Sequence, residues 1–282
     1  KKERGYLTEL YYFALSFFVY GFLGWCTEVA YAAAKQGKFV NRGFLNGPIC
    51  PVYGIGVGVV VQFLTPVENN LVLLYISSTI LVTVIEGITG FLLEKIFHNK
   101  WWDYSEQPLN IGGYVCVLFS LIWGVFCVLI VKIIHPLIYK VLTMIPLVLG
   151  IVVMACLAVG LLADLYVTAS GILKMNRRLE AMEKIAAELK ELSDKVGENI
   201  YENVMEGMEF REEKKARIEE LKAKYEEMAE NRTKVGERLV KAFPKMQVGQ
   251  HKEIFEELRE RIKRSKSVSY THLRAHETDQ YL

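Results

Sequence analysis

The sequence lacks the short signatures by which most soluble enzymes are recognised. There is no G-x-x-x-x-G-K-[ST], so the chain should not hydrolyse ATP itself. There is no G-x-S-x-G, no HExxH and no plausible Ser-His-Asp set. His98 and His135 are lone and lie near the ends of apolar runs, where an interfacial role fits better than a catalytic one. The five cysteines (Cys26, Cys50, Cys116, Cys127 and Cys156) are odd in number and form no CxxC pair. All sit in or beside apolar runs, so they read as small packing residues, and no metal or other cofactor is expected. A basic excess is also missing: 34 Lys and Arg face 32 Asp and Glu, which argues against a nucleic-acid partner. No residue qualifies as catalytic, and the chain is not expected to be an enzyme.

Charge is scarce in one part only. Residues 1–173 carry ten Lys or Arg and nine Asp or Glu, whereas residues 174–266 carry 23 and 21. Roughly 20 apolar residues cross a bilayer core, and the first part holds apolar runs near 8–34, 48–64, 71–97, 113–134 and 142–172. The second is short and carries Pro48, Pro51, Gly54, Gly56 and Gly58, so a re-entrant path is the alternative to a full crossing. A basic start and Ala32-x-Ala34 give the first run some features of a signal peptide, but it is long for one and Glu28 interrupts it. The expected fold class is all-α: a polytopic membrane helix bundle of about five spans with a cytoplasmic coiled-coil-like helical tail. The distribution of Lys and Arg in the connections places the N-terminus outside and the tail inside. The chain opens on Lys1 rather than Met, and we read it as an incomplete frame.

Residues 174–266 form the charged tail. Leu179, Met182, Ala186, Leu189, Ser193, Val196 and Ile200 step by three and four, and Ile218, Leu221, Tyr225 and Met228 repeat the pattern. A turn at 206–210 would give a helical hairpin, followed by a break at "AFPKMQVG" and a short helix near 252–264. Residues 267–282 match neither part. "VSYTHLRAHET" reads as the translation of a transposase-type sequencing adapter, so this segment is treated as an assembly artefact and His272 and His276 are set aside as ligands.

The chemistry worth following lies inside the apolar runs. "EGITGFLLE" places Glu86, Gly90 and Glu94 on one helical stripe. Gly24 with Glu28, and Gly160 with Asp164, repeat the spacing. An unpaired charge in hydrocarbon costs several kcal/mol, and glycines let helices approach closely. These stripes are therefore expected to face a protein-lined, partly wet centre, with structural interhelix hydrogen bonding and interfacial snorkelling as the alternatives. Arg42, in the loop "NRGFLNGPICPVYG", could pair with Glu28 or with lipid phosphate. In "WWDYSEQPLN", Trp101, Trp102, Asp103, Tyr104 and Asn110 suit a membrane interface.

Four blocks, "GFLGWCTEVAY", "RGFLNGPICPVYG", "EGITGFLLEKIF" and "WWDYSEQPLNIGGYVCVLFSLIWG", occur in an order that resembles the bacterial family labelled putative ABC-transporter type IV, the CmpB-like permeases. The resemblance covers roughly residues 10–170. It implies a multi-pass permease subunit of the bacterial inner membrane, working with a separate ATPase, and it supplies no established catalytic residues. A homo-oligomer and contact with membrane lipid are expected, since five spans are few for a pore. Two other readings remain open at this point: a scaffold or sensor whose tail recruits cytoplasmic partners, and a membrane enzyme acting on lipid through Glu86, Glu94 and Arg42.

Overall fold

The computed structural model describes residues 2–198, 207–249 and 251–264. They form two compact units. One contains the described residues up to Ser170 together with Lys241–Gln247; the other contains Gly171–Val240 and the described residues from Val248 on.

The first unit is helical, and its helices start and stop for identifiable reasons. Helix α1 (Lys2–Gln36) ends at Gly37, whose φ of 66° suits a residue without a Cβ. Helix α2 (Pro51–Leu64) begins with Pro51 in its first turn, where the missing N–H costs nothing. Helix α3 (Leu71–Phe97) is capped by the Asn70 side chain, which accepts from Leu73 N at 3.0 Å. It ends at His98, a left-handed residue with φ 56°. Helix α4 (Val117–Leu129) continues through a π-turn at Ile130–Ile134 into α5 (His135–Thr143). Pro136 accounts for the widened turn, since it can neither donate nor tolerate the carbonyl one turn earlier. Helix α6 (Leu147–Glu198) begins in this unit and runs on into the second.

Among the described residues four helical stretches are long and apolar enough to cross a membrane: Leu7–Gln36, Leu71–Phe97, Val117–Thr143 and Leu147–Lys195. Helix α2 is too short to span by itself. At 1.5 Å per residue it is about 21 Å long, against a core of about 30 Å.

The contacts fix the helix directions. Phe13 and Phe17 of α1 pack on Gly58 and Gly54 of α2, so these two helices are antiparallel. In the same way Thr79 of α3 lies against Gly124 of α4, and Gly87 lies against Val115 just before it. Gly56 meets Ile85, and Val60 and Leu64 share a buried cluster with Leu74, so α3 runs antiparallel to α2 and parallel to α1. The connections 37–50 and 98–116 therefore leave from the same face. Both fold back along the helix they follow. Cys50 N donates to Gly21 O at 2.9 Å, well down α1. A short antiparallel pair, Asn110–Ile111 with Val115–Cys116, lies beside the second half of α3. This return path explains the length of α2: the loop has already covered the C-terminal half of α1 before α2 begins.

The second unit is also helical. It contains the C-terminal part of α6, α7 (Gly207–Glu230), α8 (Lys234–Ala242, all but its last two residues) and a helix over 252–264. Ile172, Met175, Leu179 and Met182 are buried in it, as are Leu221, Leu239, Phe255, Leu258 and Ile262. The two seams of the sequence thus supply core residues, although Ala186 and Leu189 are only partly covered. Residues 207–210, expected to turn, open α7 instead: after Gly207 the run Met-Glu-Phe-Arg-Glu-Glu has no helix breaker. Ile200 and the link from α6 to α7 lie outside the described residues, as does the stretch 267–282.

Candidate functional site

The membrane acids are gathered around the two returning loops. Glu28, near the end of α1, accepts a 2.7 Å hydrogen bond from the Tyr53 hydroxyl and pairs with Arg42 at 3.3 Å. Arg42 also lies over the Tyr31 ring, 5.3 Å from its centre. Glu94, near the end of α3, accepts a 2.7 Å bond from the Tyr114 hydroxyl, with Lys100 at 4.0 Å. Each of these two acids thus has a tyrosine and a cation.

Glu86 differs. It lies about 16 Å along the axis from the end of α3. The Tyr104 hydroxyl reaches its Oε1 at 3.3 Å, while Oε2 is buried with no hydrogen-bond partner among the described residues. Tyr104 itself is perturbed. Burial pushes its hydroxyl above the ordinary tyrosine range, and the nearby Glu86 and Glu28 carboxylates add to the shift. Tyr104 thus ties the second returning loop to α3 through Glu86. Its ring lies 5.2 Å from that of Phe119, and the Tyr53 ring lies 5.8 Å from that of Trp123, so one helix, α4, backs both tyrosines.

The glycines on the stripes have distinct surroundings. A Cβ on Gly24 would overlap Tyr53, and one on Gly90 would lie 3.0 Å from Tyr114 and 3.2 Å from Trp102. The space beside these two glycines is filled by aromatic rings that approach the helix backbone. Gly160 has nothing within 4 Å.

Asp164 is held by a loop. Its Oδ1 accepts from Asn46 N at 3.1 Å and from Asn46 Nδ2 at 2.8 Å, and its Oδ2 accepts from Gly47 N at 2.6 Å. Thr168, one turn further along α6, donates to Oδ1 at 3.2 Å. This carboxylate anchors the first returning loop to α6 and has little capacity left for a ligand.

The "WWDYSEQPLN" residues turn inward. Trp101 is 4% exposed and packs on Phe44, Phe97 and Phe243. Trp102 Nε1 donates to Tyr114 O at 2.8 Å. Asp103 accepts from Ser105 N and Oγ, and Gln247 Nε2 donates to it at 3.1 Å. Asn110 donates to Gln107 O and Ser105 O and accepts from Gly113 N, closing the turn. A backbone this irregular beside the middle of α3 needs such internal partners, since lipid offers none.

A separate cavity of about 130 Å³ lies toward the other end of α1 and is lined by Ser16, Tyr20, Gln62 and His135. Tyr20 OH and His135 Nδ1 are 2.9 Å apart there. Among the described residues no three His, Cys, Asp or Glu side chains gather as a metal site.

Reading the sequence located the acids but missed what holds them. Tyr53, Tyr114 and Asn46 were not singled out, because their partners are 20 to 118 positions away, and Tyr104 was read only as an interfacial residue rather than as the partner of Glu86.

No curated protein and no solved structure matches the chain. The family described as "Putative ABC-transporter type IV" matches residues 15–169, a stretch holding both returning loops and all four membrane acids. The protein is a membrane-embedded member of that transporter-type family.

Proposed function

We propose that the chain is a permease-like subunit that moves a solute rather than transforms one, with a polar path passing Glu86 and Tyr104. One observation carries this reading. Glu86 sits mid-helix in an apolar segment with one carboxylate oxygen buried and without a partner among the described residues. An acid in that position is costly unless it serves a path or a ligand. Non-helical backbone at membrane depth is found where it lines a cavity, and the loops 37–50 and 98–116 both run beside the acids.

In this reading α2, with the returning loop before it, completes a fifth pass. The N-terminus is outside and the tail lies in the cytoplasm of a bacterial inner membrane. A separate ATPase supplies the energy, and a homo-oligomer encloses the path. Purification of the full chain from native membranes after mild crosslinking tests the proposal. Retention of an ATPase subunit is the expected result. Capture through the tail of other cytoplasmic proteins, with no ATPase, would overturn it in favour of a recruiting scaffold.

A further inference from the structure

The two helix–loop–helix hairpins of the membrane unit share a sequence register. Gly21 and Gly87, Gly24 and Gly90, Glu28 and Glu94, Gly47 and Gly113, Cys50 and Cys116, and Gly58 and Gly124 are each 66 residues apart, with no gap between one pair and the next. The structure gives several of these pairs the same task. A Cβ on Gly21 would meet Ile49 Cγ2 at 3.0 Å, and one on Gly87 would meet Val115 Cγ2 at 3.2 Å; Ile49 and Val115 are themselves 66 apart. Gly58 receives Phe13, and Gly124 receives Thr79, again a matched pair. Cys50 and Cys116 are the extended residues that open α2 and α4. Gly47 and Gly113 each lie against an aspartate oxygen, of Asp164 and Asp103. A single 66-residue offset that pairs both sequence and contacts is the mark of an internal repeat.

We infer that α1 to α4 with their two loops are a tandem duplication of one returning-loop hairpin, and that the repeat separates the scaffold acids from the working acid. Because α1 and α3 are parallel, the copies are related by an axis along the membrane normal. Glu28 and Glu94 occupy the same position in each copy, and each accepts a tyrosine hydroxyl beside a cation; the partners come from different positions, since Tyr53 corresponds to Phe119, Tyr114 to Pro48 and Lys100 to Ala34. That is a structural task, needed twice. Glu86 has no acidic twin. Its counterpart is Tyr20, which is paired with His135. Arg42, likewise, corresponds to Pro108. The symmetry is broken where the polar centre forms, and Glu86 is the carboxylate that departs from it.

The assignment of Glu86 deepens the proposed path, whereas the duplication stands apart from it, so two measurements on the full chain separate them. For the duplication, Phe39→Cys and Glu106→Cys are made singly in a cysteine-free background, with Glu68→Cys as reference. Labelling of both loops by an impermeant maleimide from one side, and of residue 68 from the other, is expected. Loops labelled from opposite sides would overturn a parallel repeat. For the assignment, an apolar carbodiimide, which attacks carboxyls in apolar surroundings that lack a cationic neighbour, is applied to membranes and the adduct is mapped. Attachment at Glu86, abolished in Glu86→Gln, is expected, with Glu28 and Glu94 unmodified. The melting temperature should be unchanged in Glu86→Gln and lowered in Glu28→Gln and Glu94→Gln. Equal labelling of the three acids, no adduct at Glu86, or a fall in melting temperature for Glu86→Gln as large as for the others would overturn it. Absence of an ATPase partner would leave both results unaffected.

Discussion

The Tyr53 hydroxyl donates a 2.7 Å hydrogen bond to Glu28 while its ring fills the space that a side chain on Gly24 would need, one helical turn earlier. The glycine and the acid thus form one receptor for a single tyrosine. Tyr114 uses Gly90 and Glu94 in the same manner on α3. This arrangement accounts for the glycine-to-acid spacing: a large ring can approach the helix only where the Cβ is absent, and its hydroxyl then reaches a residue four positions on.

Removing the hydroxyl while keeping the ring isolates the polar part of this contact. Tyr53→Phe should lower stability by about 1–3 kcal/mol, the usual range for a hydrogen bond to a charged group. The check is thermal unfolding of the purified protein in detergent, with Tyr75→Phe, whose bond to Leu121 O is longer at 3.3 Å, expected to have a smaller effect.

The steric part is tested at the glycines. Gly24→Ala places a methyl inside the position of Tyr53 and should cost about 1–3 kcal/mol or more through forced displacement. Gly160→Ala meets nothing within 4 Å and should be neutral or slightly stabilising by helix propensity. Side-by-side melting curves decide between them; equal losses would refute the packing argument.

Asp164→Asn leaves the shape of the side chain but replaces one acceptor oxygen with a donor facing the backbone amides of the first returning loop. The Asn46 and Gly47 amides would then lose their charged acceptor. The loop should open more often, seen as at least tenfold faster amide exchange at residues 46 and 47, which corresponds to about 1.4 kcal/mol. Thr168→Ala removes one neutral donor and should change exchange much less.

Acid should loosen the second loop through Asp103. Ser105 hydrogen bonds, from its side chain first and its backbone as well, hold the Asp103 carboxyl below the ordinary aspartate range. A depressed pKa in the folded state means that the contribution is present above the unfolded value of about 3.9 and is lost as pH falls through the folded one. Since Asp103 is only half-buried, the effect should be modest. Protection of the Ser105 amide, taken relative to its intrinsic exchange rate at each pH, should fall below pH 4 in the native chain, and Asp103→Asn should remove that change in protection.

In the tail, Arg178 donates to Asn231 O at 2.6 Å and to Ala229 O at 3.3 Å, closing the end of α7 with a cation. Arg178→Ala should raise amide exchange in the last turn of α7 selectively, because a positive group there satisfies end carbonyls and the helix dipole together. A uniform rise across the tail would instead indicate loss of the Arg178 packing.

Much of the membrane unit was legible as pattern. Apolar runs at 71–97 and 8–34 matched helices because hydropathy and length need no partner to be read. The short second run was recognisable as unusual from Pro48, Pro51 and its glycines. Trp101 and Trp102 illustrate the other side: both suit an interface by type, and their particular neighbours, Phe44, Phe97 and Phe243 for Trp101 and Gly90 for Trp102, come only from the fold. The 66-residue repeat was present in the letters, yet its matches are isolated glycines, a glutamate and a cysteine, which carry little weight until contacts show them doing the same work.

The sequence by itself determined that this chain lies in a membrane, because the cost of exposing long apolar runs to water depends only on which residues follow one another. It also determined that acids recur on helix faces shared with glycine, since helical periodicity is local. Only the tertiary structure decided which acids are neutralised and which is left. Tyr53 and Arg42 reach Glu28 from beyond the first loop, Tyr114 reaches Glu94, and Glu86 receives only Tyr104. Whether a buried charge is satisfied depends on distance in space, and distance in space is set by where the returning loops come to rest.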